Sequence, residues 1–180
     1  MGVSAGGSLS VPLATSFDYE QRTPVNITST AAFNMLLQSF SLPANSLQGG
    51  EIVEFEFYII DQATSNSFTI YFYPKINGVN YQIAAGSFSS VSSNAVASNG
   101  VIKLTARIMI GAINQSSKNA TITARQYAEK NAASVLYATA VGFADTSQPI
   151  SLNWQIALTG TPNPANDIYR IVRATARIIK

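Results

Sequence analysis

Glu54 and Glu56 stand two residues apart in the run Glu51-Ile-Val-Glu-Phe-Glu-Phe-Tyr-Ile-Ile60, and paired carboxylates are what an acid–base couple or a metal site would use. Along an extended chain successive side chains alternate between faces, so the two acids project together while Val53, Phe55, Phe57 and Ile59 line the opposite face. Paired-carboxylate catalysis needs two groups across a cleft in different surroundings. Neighbours on one open strand face have only water between them, which makes this pair a solvated or ion-paired face. The sequence contains no histidine and no cysteine. Ser-His-Asp and Cys-His systems are therefore excluded, along with the commonest transition-metal ligands and the usual pH switch. No Gly-rich phosphate loop precedes a helix. The expectation is a protein with no catalytic residues, no metal and no cofactor; the enzymatic alternative is a polysaccharide-degrading activity using Glu54 or Glu56.

Binding groups are more numerous. Arg170, Arg173, Arg177 and Lys180 fall in the last eleven positions, where they form a candidate docking strip or pair with Glu51, Glu54 and Glu56. The whole chain carries eleven Lys and Arg against nine Asp and Glu, a net charge of +2 that is too small to imply nucleic-acid binding. Tyr58, Tyr71, Tyr73, Tyr81 and Trp154 suit either a sugar-stacking platform or a core and interface role. Tyr71 and Tyr73 lie opposite Phe68, Ile70 and Phe72, and Val101 and Met109 lie opposite Ile102, Leu104, Ala106, Ile108 and Ile110. A strand that is apolar on both faces needs cover on both, so Tyr71, Tyr73, Val101 and Met109 are candidates for a subunit interface. Charged residues make up only 11% of the chain, against roughly 25% in an ordinary soluble domain, and this also favours association.

The elements that must position these groups are strands. The length of 180 residues suits one domain able to bury a two-sheet core. Residues 1–24 open Gly- and Ser-rich and read as a flexible N-terminal arm; residues 25–180 read as a single β domain without an internal linker. No apolar run is long enough for a signal peptide or for a membrane helix of about 18 residues, so no membrane partner is expected. Ala32–Leu42 reads as a strand with Phe33, Met35 and Leu37 on one face. Glu51–Ile60 and Ser67–Ile76 follow, and Asn77-Gly78 turns the chain into Val79–Ile83 as a two-residue hairpin. Gly86–Gly100 reads as a long surface loop. Val101–Ile110 and Ala120–Arg125 are strands. The Ala-rich stretch 124–139 fits an amphipathic helix as well, but the preferred reading breaks it at Glu129-Lys-Asn131 and starts a strand at Ser134. Ile150–Leu158, with Leu152, Trp154, Ile156 and Leu158 on one face, and Asp167–Lys180 complete an antiparallel β-sandwich.

The run Asn26–Glu56, with its Leu42-Pro-Ala-Asn45 turn, followed by Thr69-Ile-Tyr-Phe72, resembles the single jelly-roll proteins of tailed-bacteriophage virions. Ile150-Ser-Leu-Asn-Trp154 through Asn163-Pro-Ala-Asn-Asp-Ile168 is similar to their closing strands. The resemblance implies an all-β sandwich of jelly-roll type in the virion, commonly trimeric, serving as a noncatalytic capsid decoration or cement protein or as a head fibre. Its partners would then be its own copies in a homotrimer and the major capsid or tail proteins. The alternative is a tail-associated or host-glycan-binding, lectin-like module. The Ala-rich 124–139 segment and the basic last strand depart from the pattern.

Overall fold

Period-two alternation of apolar and polar residues produces a chain of strands in the computed structural model, which describes residues 19–27, 33–62, 68–80, 91–93, 100–130, 133–159 and 168–179. The strands are β1 (Tyr19–Gln21), β2 (Val25–Ile27), β3 (Phe33–Asn34), β4 (Phe40–Leu42), β5 (Ile52–Gln62), β6 (Phe68–Ile76), β7 (Val79–Asn80), β8 (Val91–Ser93), β9 (Gly100–Ile113), β10 (Asn119–Lys130), β11 (Ala133–Asp145), β12 (Ile150–Thr159) and β13 (Ile168–Ile179). Among the described residues no helix is long and apolar enough to cross a membrane.

The strands form two antiparallel sheets. In the larger, β1 and β2 both lie along β13, followed by β5, β9, β10 and β11; in the smaller, β3 and β4 both lie along β12, followed by β6, which carries β7 and β8. The pairing is nested: β2 with β13, β4 with β12, β5 with β9, β6 with β8. A long hairpin folded over on itself, outermost strands together and innermost strands together, is a jelly roll. The fold is therefore an antiparallel jelly-roll sandwich, with the hairpin β10–β11 inserted after β9 and widening the larger sheet.

The core lies where the two inner faces meet. Val53, Phe55, Phe57 and Ile59 of β5 and Ile102, Leu104, Ala106 and Ile108 of β9 belong to one buried cluster with Phe72 of β6 and Leu152, Trp154 and Ile156 of β12. The Phe55 ring centroid is 5.9 Å from that of Trp154. Each large side chain removed from water in this way contributes about 1.5–3 kcal/mol. Trp154 also carries an N–H, which donates to Oε1 of the buried Gln126 on β10 at 3.2 Å, so the buried indole donor is satisfied across the sandwich.

Several elements differ from the sequence reading for identifiable reasons. Ala32–Leu42 is not one strand. Met35 and Leu36 are consecutive and both buried, which alternation forbids, so the chain bends over residues 35–39 between β3 and β4. Asn153 holds the bend: its Oδ1 accepts from Leu36 N at 3.1 Å and its Nδ2 donates to Leu36 O and to Ser39 Oγ, each at 3.2 Å. Leu37 is consequently turned outward, 61% exposed, instead of sharing an inner face with Met35. Val91–Ser93, within the expected loop 86–100, adds to β6 as β8. Tyr19–Gln21, assigned to the arm, pairs with Ala174–Ala176 of β13, so that end of the arm belongs to the sheet; residues 1–18 lie outside the described residues. The stretch 124–139 is strand rather than helix, but β10 continues through Glu129 and Lys130, where the sequence reading places the break, and β11 starts at Ala133, while Asn131 lies outside the described residues. Asn77 and Gly78 adopt φ of +50° and +80°, the mirror-image turn that a two-residue hairpin requires.

Candidate functional site

Antiparallel register across β13, β5, β9 and β10 arranges the outward side chains of the larger sheet in rows. Arg177, Glu54, Arg107 and Arg125 stand directly opposite one another in one row. Thr175, Glu56, Thr105 and Tyr127 form the next, and Arg173, Tyr58, Lys103 and Glu129 the one beyond.

Glu54 is the hub. Arg107 donates to its Oε2 through Nε at 2.8 Å and Nη2 at 2.7 Å, and Arg177 donates to its Oε1 through Nε at 3.1 Å and Nη2 at 2.6 Å. The two guanidinium groups lie over the carboxylate, leaving Glu54 only 4% exposed although it faces outward, while each arginine remains about half exposed. Burial alone would push the Glu54 carboxyl up; the hydrogen bonds from Arg177 and Arg107 outweigh it and hold the group below the usual carboxylate range. With both oxygens taken and the charge fixed, this carboxylate is unsuited to passing protons. Beside it Lys103 lies 3.5 Å from Glu56 and 5.7 Å from the centre of the Tyr58 ring, and the charge of Glu56, followed by Tyr58, raises the lysine's pKa.

The basic residues near the chain end behave as paired groups. Arg177 meets Glu54, Arg173 lies 3.2 Å from Glu20 of β1, and Arg170 donates to Asn26 Oδ1 at 2.8 Å. They do not form an open row of cations. Lys180 lies outside the described residues. Glu20 lies outside the acids that the sequence offers as partners, because it falls in the segment expected to be arm.

Among the candidates for a subunit interface, Val101 is 53% exposed and Met109 half-buried, both on this outer face of β9, and Ile52 and Ile60 of β5 stand half-buried opposite them. Tyr73 corrects the expectation: it is 4% exposed within a single chain, and burial raises its phenol pKa, so it has almost no apolar surface left for a neighbour. The side chain of Tyr71 and the whole of Tyr81 lie outside what is described. Trp154 is core rather than a sugar platform. Among the described residues no group of three or more acids stands together as a metal site would require.

Arg125 and Tyr127 were not singled out in the sequence. Arg125 faces Arg107 in register across β9 and β10. Together with Thr105, Gln126 and Tyr127 they line a concavity of about 320 Å³. The signal was present, since the alternation that exposes Arg107 on β9 also exposes Arg125 on β10, but their meeting depends on a register that neither strand encodes alone.

No family model and no curated protein matches the chain. Among solved structures, a peanut lectin bound to a nonapeptide is similar at 10% identity and a TM-score of 0.41, covering 93% of this chain and all of the lectin. Lectin I of Ulex europaeus with the methyl glycoside of α-L-fucose is similar at 9% identity and a TM-score of 0.40, covering 92% of this chain and 98% of the lectin. A structure of infectious bursal disease virus, Gx strain, is similar at 8% identity and a TM-score of 0.36, covering 92% of this chain and 32% of the viral one. At such scores these likenesses carry no argument; the nested strand pairing is what establishes the fold.

Proposed function

We propose that the chain is a noncatalytic structural component of a virus particle, of the tailed-bacteriophage kind that its sequence resembles, acting as an oligomeric capsid decoration, cement or head-fibre protein. The observation that carries this reading is the state of Glu54. A carboxylate already held by Arg107 and Arg177 needs no counter-ion from a neighbour, while the two half-exposed arginines present positive charge to an acidic or carbonyl-bearing partner surface. Met109, one row from it, and Val101, at the other end of the same face, supply apolar surface worth about 25 cal/mol for each Å² buried. Such a face is built to be docked upon. The threefold order of the assembly follows from the resemblance, and the major capsid or tail proteins are the neighbours it implies.

Size-exclusion chromatography with light scattering tests the face. Val101→Lys combined with Met109→Lys should lower the oligomer mass and leave the thermal midpoint in place. A wild-type protein that is monomeric at high concentration, or an oligomer indifferent to both lysines, would overturn the docking face.

A second reading is favoured by the concavity at Thr105, Arg107, Arg125 and Tyr127, whose guanidinium, hydroxyl and aromatic groups suit a carboxylated sugar of a host surface. Retention of uronic or sialic glycans on an array, lost in Arg125→Ala, would support it; no retention would remove it.

A further inference from the structure

Among the described residues, three of the four sheet edges carry only short strands. On the β13 side of the larger sheet the edge is shared by β1 and β2, three residues each, with Arg22 and Pro24 between them. The smaller sheet ends in β3 and β4 on one side, two and three residues long, and in β7 and β8 on the other, again two and three. Short, interrupted strands with charge and proline are how sheets avoid pairing with strangers.

The fourth edge is different. β11 runs for thirteen residues, and among the described residues no strand pairs with its outer side. From Ala133 to Ala144 it contains neither a charged residue nor a proline. A bulge interrupts it where Ile122 pairs with Gly142 and Thr123 with Ala140, but Ala133 to Ala140 pairs without a break against Lys130 to Thr123. At about 3.4 Å per residue that regular stretch is roughly 27 Å long. Along it, alternate residues turn their N–H and C=O groups away from β10.

We propose that β11 pairs antiparallel with β11 of a second copy of this chain about a two-fold axis, joining two larger sheets into one continuous sheet. A second β11 is the fitting occupant because, among the described residues, the other edge strands span two or three residues apiece, shorter than the regular stretch of β11. An antiparallel pair also sets a strand against its own reversed sequence, and with no charge between Ala133 and Ala144 no register within that span opposes like charges. The contact is isologous, using the same residues on both sides. It rests on the edge alone, not on the virion reading, and leaves the outer face around Glu54 free for a different contact. A threefold contact through that face combined with this two-fold one gives an even-numbered assembly.

The test is light scattering of the full-length chain with prolines at two adjacent positions, Ala138→Pro and Thr139→Pro. At consecutive strand residues one N–H bonds to β10 and the other points to the open edge, so one proline breaks the hairpin and its neighbour blocks only the edge. Wild type should have an even multiple of the chain mass, and one of the two variants should halve it while keeping the wild-type thermal midpoint. Since the chain has no cysteine, single cysteines at Leu136, Tyr137, Ala138 and Thr139 provide an independent arm. The one nearest the axis meets its own symmetry mate and should oxidise to a covalent dimer. A monomer, an odd multiple, a mass untouched by a folded edge proline, or no cross-link at any of the four positions would overturn the proposal.

Discussion

Arg125 stands directly opposite Arg107 across β9 and β10, and of the two only Arg107 has a carboxylate, Glu54, within reach among the described residues. Like charges facing each other on neighbouring strands are unfavourable. Arg125→Glu should therefore give Arg107 a second acid and raise stability by about 0.2–1 kcal/mol, the range of a cross-strand pair. Chemical denaturation would show it; a loss of stability would mean that Arg125 has a carboxylate partner in the folded chain.

Removing the hub and removing its partners are not equivalent. Glu54→Gln frees two arginines that are already half exposed and regain water, whereas the Arg107→Met and Arg177→Met double variant keeps side-chain cover over the carboxylate and removes its ion-pair partners. The double variant should cost more than Glu54→Gln, because a covered carboxylate without partners carries its desolvation penalty uncompensated. Denaturation midpoints of the two variants settle the order, and the reverse order would refute this account of the hub.

Acid should unfold the wild type partly through the same group. The folded-state pKa of Glu54 lies below its unfolded value near 4.3, so its contribution is complete well above that value. It is lost as pH falls through the lowered folded pKa. Stability measured between about pH 5 and pH 2 should fall more steeply in wild type than in Glu54→Gln. Glu20, lowered chiefly by its hydrogen bond with Arg22, and Asp145, lowered by those from Ser147, titrate in both proteins and cancel in the comparison. Parallel curves would mean that Glu54 binds its proton equally well in the folded and unfolded chain, contrary to the lowered folded pKa.

The turn leading into β5 allows a paired test of backbone geometry. Gly49 and Gly50 both have φ near +90°, and Glu51 closes the turn by accepting from Gln48 N at 2.7 Å and Gly49 N at 2.9 Å. A Cβ at Gly50 meets open space, but one at Gly49 would lie 3.0 Å from the backbone oxygen of Gly111. Gly50→Ala should cost about 1–3 kcal/mol from conformation alone, and Gly49→Ala more because backbone must move. Equal thermal shifts would contradict the close approach.

What the sequence made legible was whichever face a strand buries. Val53 to Ile59, Ile102 to Ile110 and Leu152 to Ile156 alternate because each has one side in the core, and the Asn77-Gly78 turn is fixed by its backbone demands. Alternation is silent on what covers the other face, so it offers Tyr73 as a subunit-interface candidate although a single chain already buries it. It is equally silent on register, and the Arg177–Glu54–Arg107–Arg125 row joins four strands from separate parts of the chain. Consecutive buried residues such as Met35 and Leu36 break the pattern altogether, and the bend that permits them depends on Asn153, more than a hundred residues further along.

Quantitative mass spectrometry of virus particles purified from infected cells that produce this chain tests the proposed structural place in a virion most directly. Peptides of the chain should sediment with intact particles in stoichiometric amounts relative to the capsid or tail proteins. Their presence only in the soluble fraction of infected cells, and their absence from washed particles, would contradict it.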